Sequence, residues 1–143
     1  MKTLSLLGYI IIVAGILALW RTGSLFALHP LLIAAQVSAV GLMVWARATF
    51  GIRSFHPGAD PTAGNLVTNG PYRFIRHPIY ASICLFTLAG LTGHFTPIGL
   101  LLFGVVVAGA MIRIVCEERL LAQKYPEYTQ YSKQTPRLIP GLY

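Results

Sequence analysis

Four uncharged, apolar runs dominate this chain and leave it few architectures. Leu4–Trp20 and Pro30–Ala46 each extend for 17 residues, Pro97–Ile112 for 16, and Ile79–Leu91 is the shortest. At about 1.5 Å per residue, a 17-residue helix covers roughly 25 Å, enough for a thin or locally adapted bilayer core. The third run spans only if it takes in Pro78 and the residues up to Phe95; otherwise it forms a re-entrant hairpin with the fourth. With 55% hydrophobic and 10% charged residues in 143, the balance is that of one membrane domain rather than a soluble one. The expected fold is an all-α polytopic membrane protein with about four transmembrane helices, near 4–20, 30–46, 78–95 and 97–115. An irregular loop and a C-terminal amphipathic segment complete it, with residues 117–143 as a cytoplasmic tail.

The net charge of +7 would suit nucleic acid, but its placement does not. Lys2 precedes the first segment and Arg21 follows it. Arg47, Arg53, Arg73 and Arg76 fall between the second and third segments, and Arg113, Arg119, Lys124, Lys133 and Arg137 lie at and beyond the end of the fourth. The connection between the third and fourth segments has no Lys or Arg. With four spans these basic parts share one face, which the positive-inside rule assigns to the cytoplasm, including loop 47–77 and the C-terminus. Attraction to membrane lipid head groups is a secondary role for the same charges. Lys2 followed by an apolar run resembles a signal peptide, yet the run is too long and lacks a small-x-small cleavage site, so a retained helix is expected. Cys84 and Cys116 suggest no disulfide framework, and the four scattered histidines give no zinc spacing, so no metal is expected.

His29-Pro30 and Thr96-Pro97 both read as helix starts with proline in the first turn. Gly90, Gly93 and Pro97 frame a tight connection, which predicts an antiparallel hairpin of the third and fourth helices. Pro57, Gly58, Pro61 and Gly64 make Gly51–Asn69 an irregular connector, and its length is of the kind that carries function. After Glu117, Leu120, Leu121, Tyr125 and Tyr128 alternate with Lys124, Glu127 and Gln130. That amphipathic pattern, interrupted by Pro126, suits either an interfacial anchor or a lid.

Charge is concentrated in two places. Residues 70–80, Gly-Pro-Tyr-Arg-Phe-Ile-Arg-His-Pro-Ile-Tyr, hold two arginines, a histidine and two tyrosines at a membrane edge, and Arg113, Glu117, Glu118 and Arg119 follow the last apolar run. Ionisable groups near hydrocarbon are costly, so such clusters read as working sites. Proline restricts His77 to extended geometry, which places it at the N-terminus of the third helix, where Arg76 and the helix dipole suit a carboxylate. Arg113 and Glu117, four apart, share a helix face. Taken alone they could be a snorkelling arginine and its ion-pair partner. If the two clusters meet, they form a polar pocket at the cytoplasmic leaflet for one charged and one lipophilic ligand.

These residues also carry a resemblance. Leu66-Val-Thr-Asn-Gly-Pro-Tyr-Arg-Phe-Ile-Arg-His-Pro-Ile-Tyr80, Glu117-Glu118-x-Leu120, Tyr128-x-x-Tyr131 and Pro136-x-x-Ile139-Pro140 resemble the isoprenylcysteine carboxyl methyltransferase family, and parts of the pattern are shared with phospholipid N-methyltransferases. The resemblance covers roughly residues 42–141. It implies S-adenosylmethionine as methyl donor, contacted by Leu66, Val67, Tyr72, Arg76, His77, Pro78, Ile79, Glu117 and Glu118. Gly64 and Asn65 stand where the family often has a cofactor-contacting histidine. Arg113 takes the place of the arginine that faces the methyl acceptor, with Tyr80 beside it, and is the expected catalytic and substrate-binding residue. The implied acceptor is a lipophilic small molecule or prenylated carboxylate. Two further departures are Lys124-Tyr-Pro-Glu-Tyr128 in place of Phe-Gly-Glu-Glu-Tyr, and fewer amino-terminal helices than eukaryotic members. No Gly-x-Gly-x-x-Gly loop is present, in keeping with a site unlike the soluble Rossmann type.

Other readings are a methyltransferase acting on an amine, thiol or phospholipid head group and, outside that class, a non-catalytic membrane subunit or small transporter. A four-helix exporter would couple protons through an acidic residue within a span. Asp60, Glu117, Glu118 and Glu127 all lie outside the apolar runs.

Overall fold

The structure, a computed structural model, describes residues 2–51 and 65–141. Among them are α1 (Lys2–Arg21), α2 (Pro30–Phe50), a 3-10 turn (Gly70–Arg73), α3 (Pro78–Gly93), α4 (Pro97–Lys124) and α5 (Tyr128–Gln134), with no strand. Most of the connector expected between Gly51 and Asn69 lies outside the described residues, Gly64 included. Three helices, α1, α2 and α4, are long and apolar enough to cross a membrane; α3, with 16 residues, is shorter. Large apolar side chains such as Ile10, Leu17, Val37 and Leu101 point outward. Water would disfavour that arrangement and hydrocarbon does not, since helices satisfy their own backbone there. The chain is a polytopic all-α membrane protein.

The helix starts follow local chemistry. Pro30, Pro78 and Pro97 each occupy the first helical turn, where the missing N–H costs nothing. Thr96 adds a side-chain cap, its Oγ1 accepting from the Gly99 N–H at 2.9 Å. At the other end α3 stops at Gly93 rather than Phe95. α4 runs on to Lys124, past the 97–115 read from the apolar pattern. Residues 117–124, Glu-Glu-Arg-Leu-Leu-Ala-Gln-Lys, are good helix formers whatever their polarity. The helix ends because Tyr125 precedes Pro126 and takes extended angles (φ −117°, ψ 106°).

The helices pair mainly as α1 on α4 and α2 on α3, with a lesser α3–α4 contact joining the pairs. The short Gly93–Pro97 link does not make α4 the chief partner of α3, because small residues on α1 accept α4 more closely. Ser5, Gly8, Ile12, Gly15 and Leu19 form the buried stripe of α1. A Cβ on Gly15 would sit 2.7 Å from Val106 Cγ2, and one on Gly109 would sit 2.9 Å from the Gly8 carbonyl oxygen. Close approach through small residues is how helices gain contact in lipid.

The end away from the polar clusters is tied by one buried amide. Gln36 on α2 accepts from the Ala27 N–H at 3.1 Å and donates to the carbonyls of Leu25 (2.7 Å) and Phe86 (3.2 Å). It thereby joins the α1–α2 loop to α2 and α3. That loop lies against Gly90, where a Cβ would be only 2.1 Å from the Leu25 oxygen. Gly90→Ala is therefore expected to destabilise the fold by about 1–3 kcal/mol through overpacking against backbone. Gly104→Ala, where nothing lies within 4 Å, should be neutral or stabilising. Thermal unfolding midpoints in detergent would check the contrast.

Candidate functional site

The two charged segments meet at one end of the bundle. His77 lies outside the helical region ahead of Pro78, though at φ −126° and ψ 62° it is not the extended residue that the X-Pro rule suggested; its ring turns inward and it is 5% exposed. Arg113 and Glu117 project from the same face of α4, one turn apart, and Tyr80 comes from the first turn of α3.

Arg113 is the centre of the first cluster and is buried. Its Nε donates to the Tyr80 hydroxyl at 2.6 Å, one terminal nitrogen to Glu117 Oε1 at 3.1 Å, and the other to the Ser5 carbonyl of α1 at 3.3 Å. Tyr80 donates in turn to Glu117 Oε1. The guanidinium also lies between two aromatic faces, 5.6 Å from the Tyr9 ring centre and 5.9 Å from that of Tyr80, geometry that favours a cation. A charge this deep survives only when paired and hydrogen-bonded, and three helices supply the partners.

Glu118 is the centre of the second cluster. Arg76 reaches it at 3.1 Å and His77 Nε2 lies 3.3 Å away, while Arg137 from the tail grips both of its oxygens at 2.9–3.1 Å. His77 Nδ1 lies 3.7 Å from Glu117 Oε2, so the imidazole bridges the two carboxylates. The tail is held by backbone as well. Arg76 N–H donates to the Pro136 carbonyl (2.8 Å) and His77 N–H to that of Arg137 (3.0 Å). The Tyr131 hydroxyl donates to the Tyr72 carbonyl at 2.6 Å.

Tyr72 is buried beside Phe50. Burial and the nearby Glu117 push its hydroxyl well above the usual tyrosine range, and burial and Tyr128 do the same for Tyr131. Tyr128 is pushed up to about 12 by burial and by the Glu118 charge. All three stay protonated through the neutral range. The stability this confers is complete below the ordinary tyrosine value of 10.0 and is lost as pH rises through the folded-state value, near 12 for Tyr128.

Of the residues singled out in the sequence, Arg76, His77, Tyr80, Arg113, Glu117 and Glu118 come together. Pro78 is buried at the helix start, Ile79 is half-buried, and Tyr72 flanks the group. Asn65 is exposed and Leu66 and Val67 are half-buried in the irregular stretch before the 3-10 turn. Sequence reasoning missed four contributors: Ser5, Tyr9, Tyr131 and Arg137. Tyr131 stood in the tail motif and Arg137 among the cations after the last apolar run, whereas a serine and a tyrosine in an apolar run carried no signal. Among the described residues no group of three or more His, Cys, Asp and Glu side chains could hold a metal ion.

An open cleft of about 360 Å³ lies between Arg76 and the tail, lined by Lys133, Gln134, Thr135 and Arg137 among others. Arg76 Nε and the Tyr128 hydroxyl are buried, and neither makes a hydrogen bond of good geometry, although each lies in the other's electrostatic range. Carboxylates, guanidiniums and unmatched polar atoms together suit a zwitterionic ligand. If Arg137 pins the tail, Arg137→Ala should raise the amide hydrogen-exchange rates of Arg76 and His77 about tenfold, the equivalent of a single net charged hydrogen bond discounted for partial exposure. Substitution of the exposed Arg119 should leave both rates unchanged.

Comparison with known proteins adds to this geometry. The chain is similar to the nickel-cobalt-cadmium resistance protein NccN of Alcaligenes xylosoxydans xylosoxydans, at 32% identity over 118 residues, 77% of this chain and 53% of the relative. It is also similar to the cobalt-zinc-cadmium resistance protein CzcN of Cupriavidus metallidurans, at 36% identity over 85 residues, 54% of this chain and 36% of the relative. The chain thus spans about half or less of these curated relatives. No solved structure matches it. The family model for phospholipid methyltransferases matches residues 17–128, a stretch that takes in α2, α3, α4 and both cluster centres, Arg113 and Glu118. The chain belongs to the phospholipid methyltransferase family.

Proposed function

We propose that this protein transfers a methyl group from S-adenosylmethionine to a lipophilic acceptor held at the membrane edge, with a carboxylate as the favoured acceptor, as in isoprenylcysteine carboxyl methylation. The observation that carries the reading is the convergence of Arg113, Tyr80, Glu117, His77, Glu118 and Arg76 at one end of a membrane bundle whose family is a methyltransferase family. We further propose that this end faces the cytoplasm, as the distribution of Lys and Arg favours.

The residues fit the donor chemically. Arg76, with its buried unmatched Nε, suits the donor's carboxylate, and Glu117 and Glu118 suit its ammonium and ribose hydroxyls. When bound, S-adenosylmethionine supplies an electrophilic methyl on a sulfonium, open to in-line displacement by a nucleophile. Arg113, steadied by Tyr80 and Glu117, holds and orients the acceptor carboxylate. A carboxylate is nucleophilic without proton removal, so the site's contribution is positioning and the exclusion of water, and no general base is assigned. His77 bridges Glu117 and Glu118 and keeps both carboxylates in place.

A second reading is favoured by the family itself: a phospholipid amine as acceptor. It would give Glu117 the added task of taking a proton from the ammonium head, at the cost of its link to Arg113. The relatives' names concern resistance to nickel, cobalt, zinc and cadmium. Those names add no residue to the reading.

The test is transfer of tritiated methyl groups from S-adenosylmethionine by the protein in nanodiscs, against lipophilic carboxylates, amines and phospholipids. Base-labile incorporation into the carboxylate is expected. Incorporation into an amine head group alone would replace the first reading with the second, and no incorporation into any acceptor would count against both. Arg113→Ala should lower kcat/KM for the acceptor at least thirtyfold, the rate equivalent of about 2 kcal/mol, with Arg113→Lys intermediate. Glu117→Gln should instead raise the donor KM about tenfold, the loss of one charged hydrogen bond.

A further inference from the structure

Positive charge is in excess at the C-terminal tail. The open cleft of about 360 Å³ is bounded by the end of α5, by residues 135–137 and by Arg76. Its shape is fixed by backbone, because the Pro136 and Arg137 carbonyls accept from the Arg76 and His77 amides. Arg76, Lys133 and Arg137 line it together with the polar Ser132, Gln134 and Thr135, and among the described residues no acid does. Glu118 pairs with Arg76 and Arg137, while Glu117 is held by Arg113. Lys133 is exposed and pairs with no acid among the described residues. One carboxylate thus stands against three cations, and the surplus belongs to the cleft.

Two apolar side chains bracket these cations along the chain. Phe74, two residues before Arg76, and Ile139, two after Arg137, are each more than half exposed. Neither belongs to a helix, so membership of a span does not account for their exposure. Leu138, next to Ile139, packs against the apolar core of the bundle, which brings the tail back toward the membrane beyond the cleft. Arg73 adds a cation 5.9 Å from the centre of the Phe74 ring. Apolar tips among basic residues make a surface that meets lipid at the level of the headgroups. A free phosphate would use the cations and leave Phe74 and Ile139 without a role. A zwitterionic headgroup would bring its own ammonium against Lys133 and Arg137. An anionic phosphodiester with an uncharged head meets neither objection.

We propose that the tail cleft binds the phosphate of an anionic glycerophospholipid such as phosphatidylglycerol, with the acyl chains passing Phe74 and Ile139 into the bilayer. The phosphate oxygens take charge-assisted hydrogen bonds from Lys133 and Arg137, and Arg137 keeps its bond to Glu118. The cleft is at the small end for a ligand pocket, so it holds a headgroup and leaves the chains outside. The bound lipid fastens the tail to the leaflet and is not a methyl acceptor, since phosphatidylglycerol has no amine, thiol or carboxylate. The inference does not require the methyltransferase reading. Arg76 is shared with the donor site proposed above, so lipid binding is measured with no donor present.

Native mass spectrometry of the full chain released from maltoside micelles reads lipid binding directly. Dioleoyl phosphatidylglycerol should bind about tenfold more tightly than dioleoyl phosphatidylcholine, which carries the same chains. Lys133→Gln, at an exposed position of α5, should lower phosphatidylglycerol affinity about fivefold, the worth of one basic residue at an anionic surface. It should leave phosphatidylcholine unchanged. Arg119→Gln removes an exposed cation outside the cleft and should change neither affinity. Equal affinity for the two lipids in the unaltered chain would overturn the proposal without recourse to any variant. Equal losses in the Lys133 and Arg119 variants would reduce the effect to diffuse surface charge and overturn the cleft as its place. Displacement of phosphatidylglycerol by millimolar inorganic phosphate would overturn lipid as the occupant. Selective lipid binding by protein that fails to bind S-adenosylmethionine would support this proposal and count against the donor reading alone.

Discussion

A single buried cation organises this protein. Arg113 sits near the end of a membrane helix, and its guanidinium can be kept there only if other elements bring it acceptors. α1 supplies the Ser5 carbonyl and the Tyr9 face, α3 supplies Tyr80, and α4 supplies Glu117. Satisfying that charge draws three helices together at one depth. The small residues of α1 permit it, because a side chain at Gly8 would meet the Arg113 stem. The same demand shapes the second cluster, where Glu118 needs cations and receives them from Arg76 and Arg137.

Much of this was legible in the sequence. Uncharged runs give spanning helices because hydrocarbon admits little else, and an X-Pro pair at the head of a run gives a helix start, as His77-Pro78 and Thr96-Pro97 do. The convergence of residues 72–80 with 113–118 followed from topology, since segments at the same end of an up-and-down bundle must meet. Other features left no trace. Gln36 reads as a lone polar residue in an apolar run, and its three backbone partners are not specific to residue type. The backbone pairing of Arg76 and His77 with Pro136 and Arg137 is invisible for the same reason. α4 outran its apolar stretch because helix propensity, not hydrophobicity, decides where a helix stops once it leaves the membrane.

In the proposed reading the arrangement offers two routes to one site. The open cleft beside the tail is lined by cations and amides and suits a polar ligand arriving from water. The α1 side presents apolar surface and suits a ligand arriving from lipid. The proposed reaction, which joins a water-soluble donor to a membrane-dissolved acceptor, needs both approaches. The carboxylate bridge through His77 is where the routes meet, for it touches the Arg113 cluster through Glu117 and the tail cluster through Glu118.

As proposed, these clusters form a donor site, and binding tests that before any acceptor is known. The measurement is calorimetric titration of S-adenosylmethionine into the purified protein in nanodiscs, with S-adenosylhomocysteine as competitor. The account requires saturable binding at one site per chain, abolished by the competitor and weakened by Arg76→Ala. Absence of binding in protein that unfolds cooperatively at its usual temperature would contradict it.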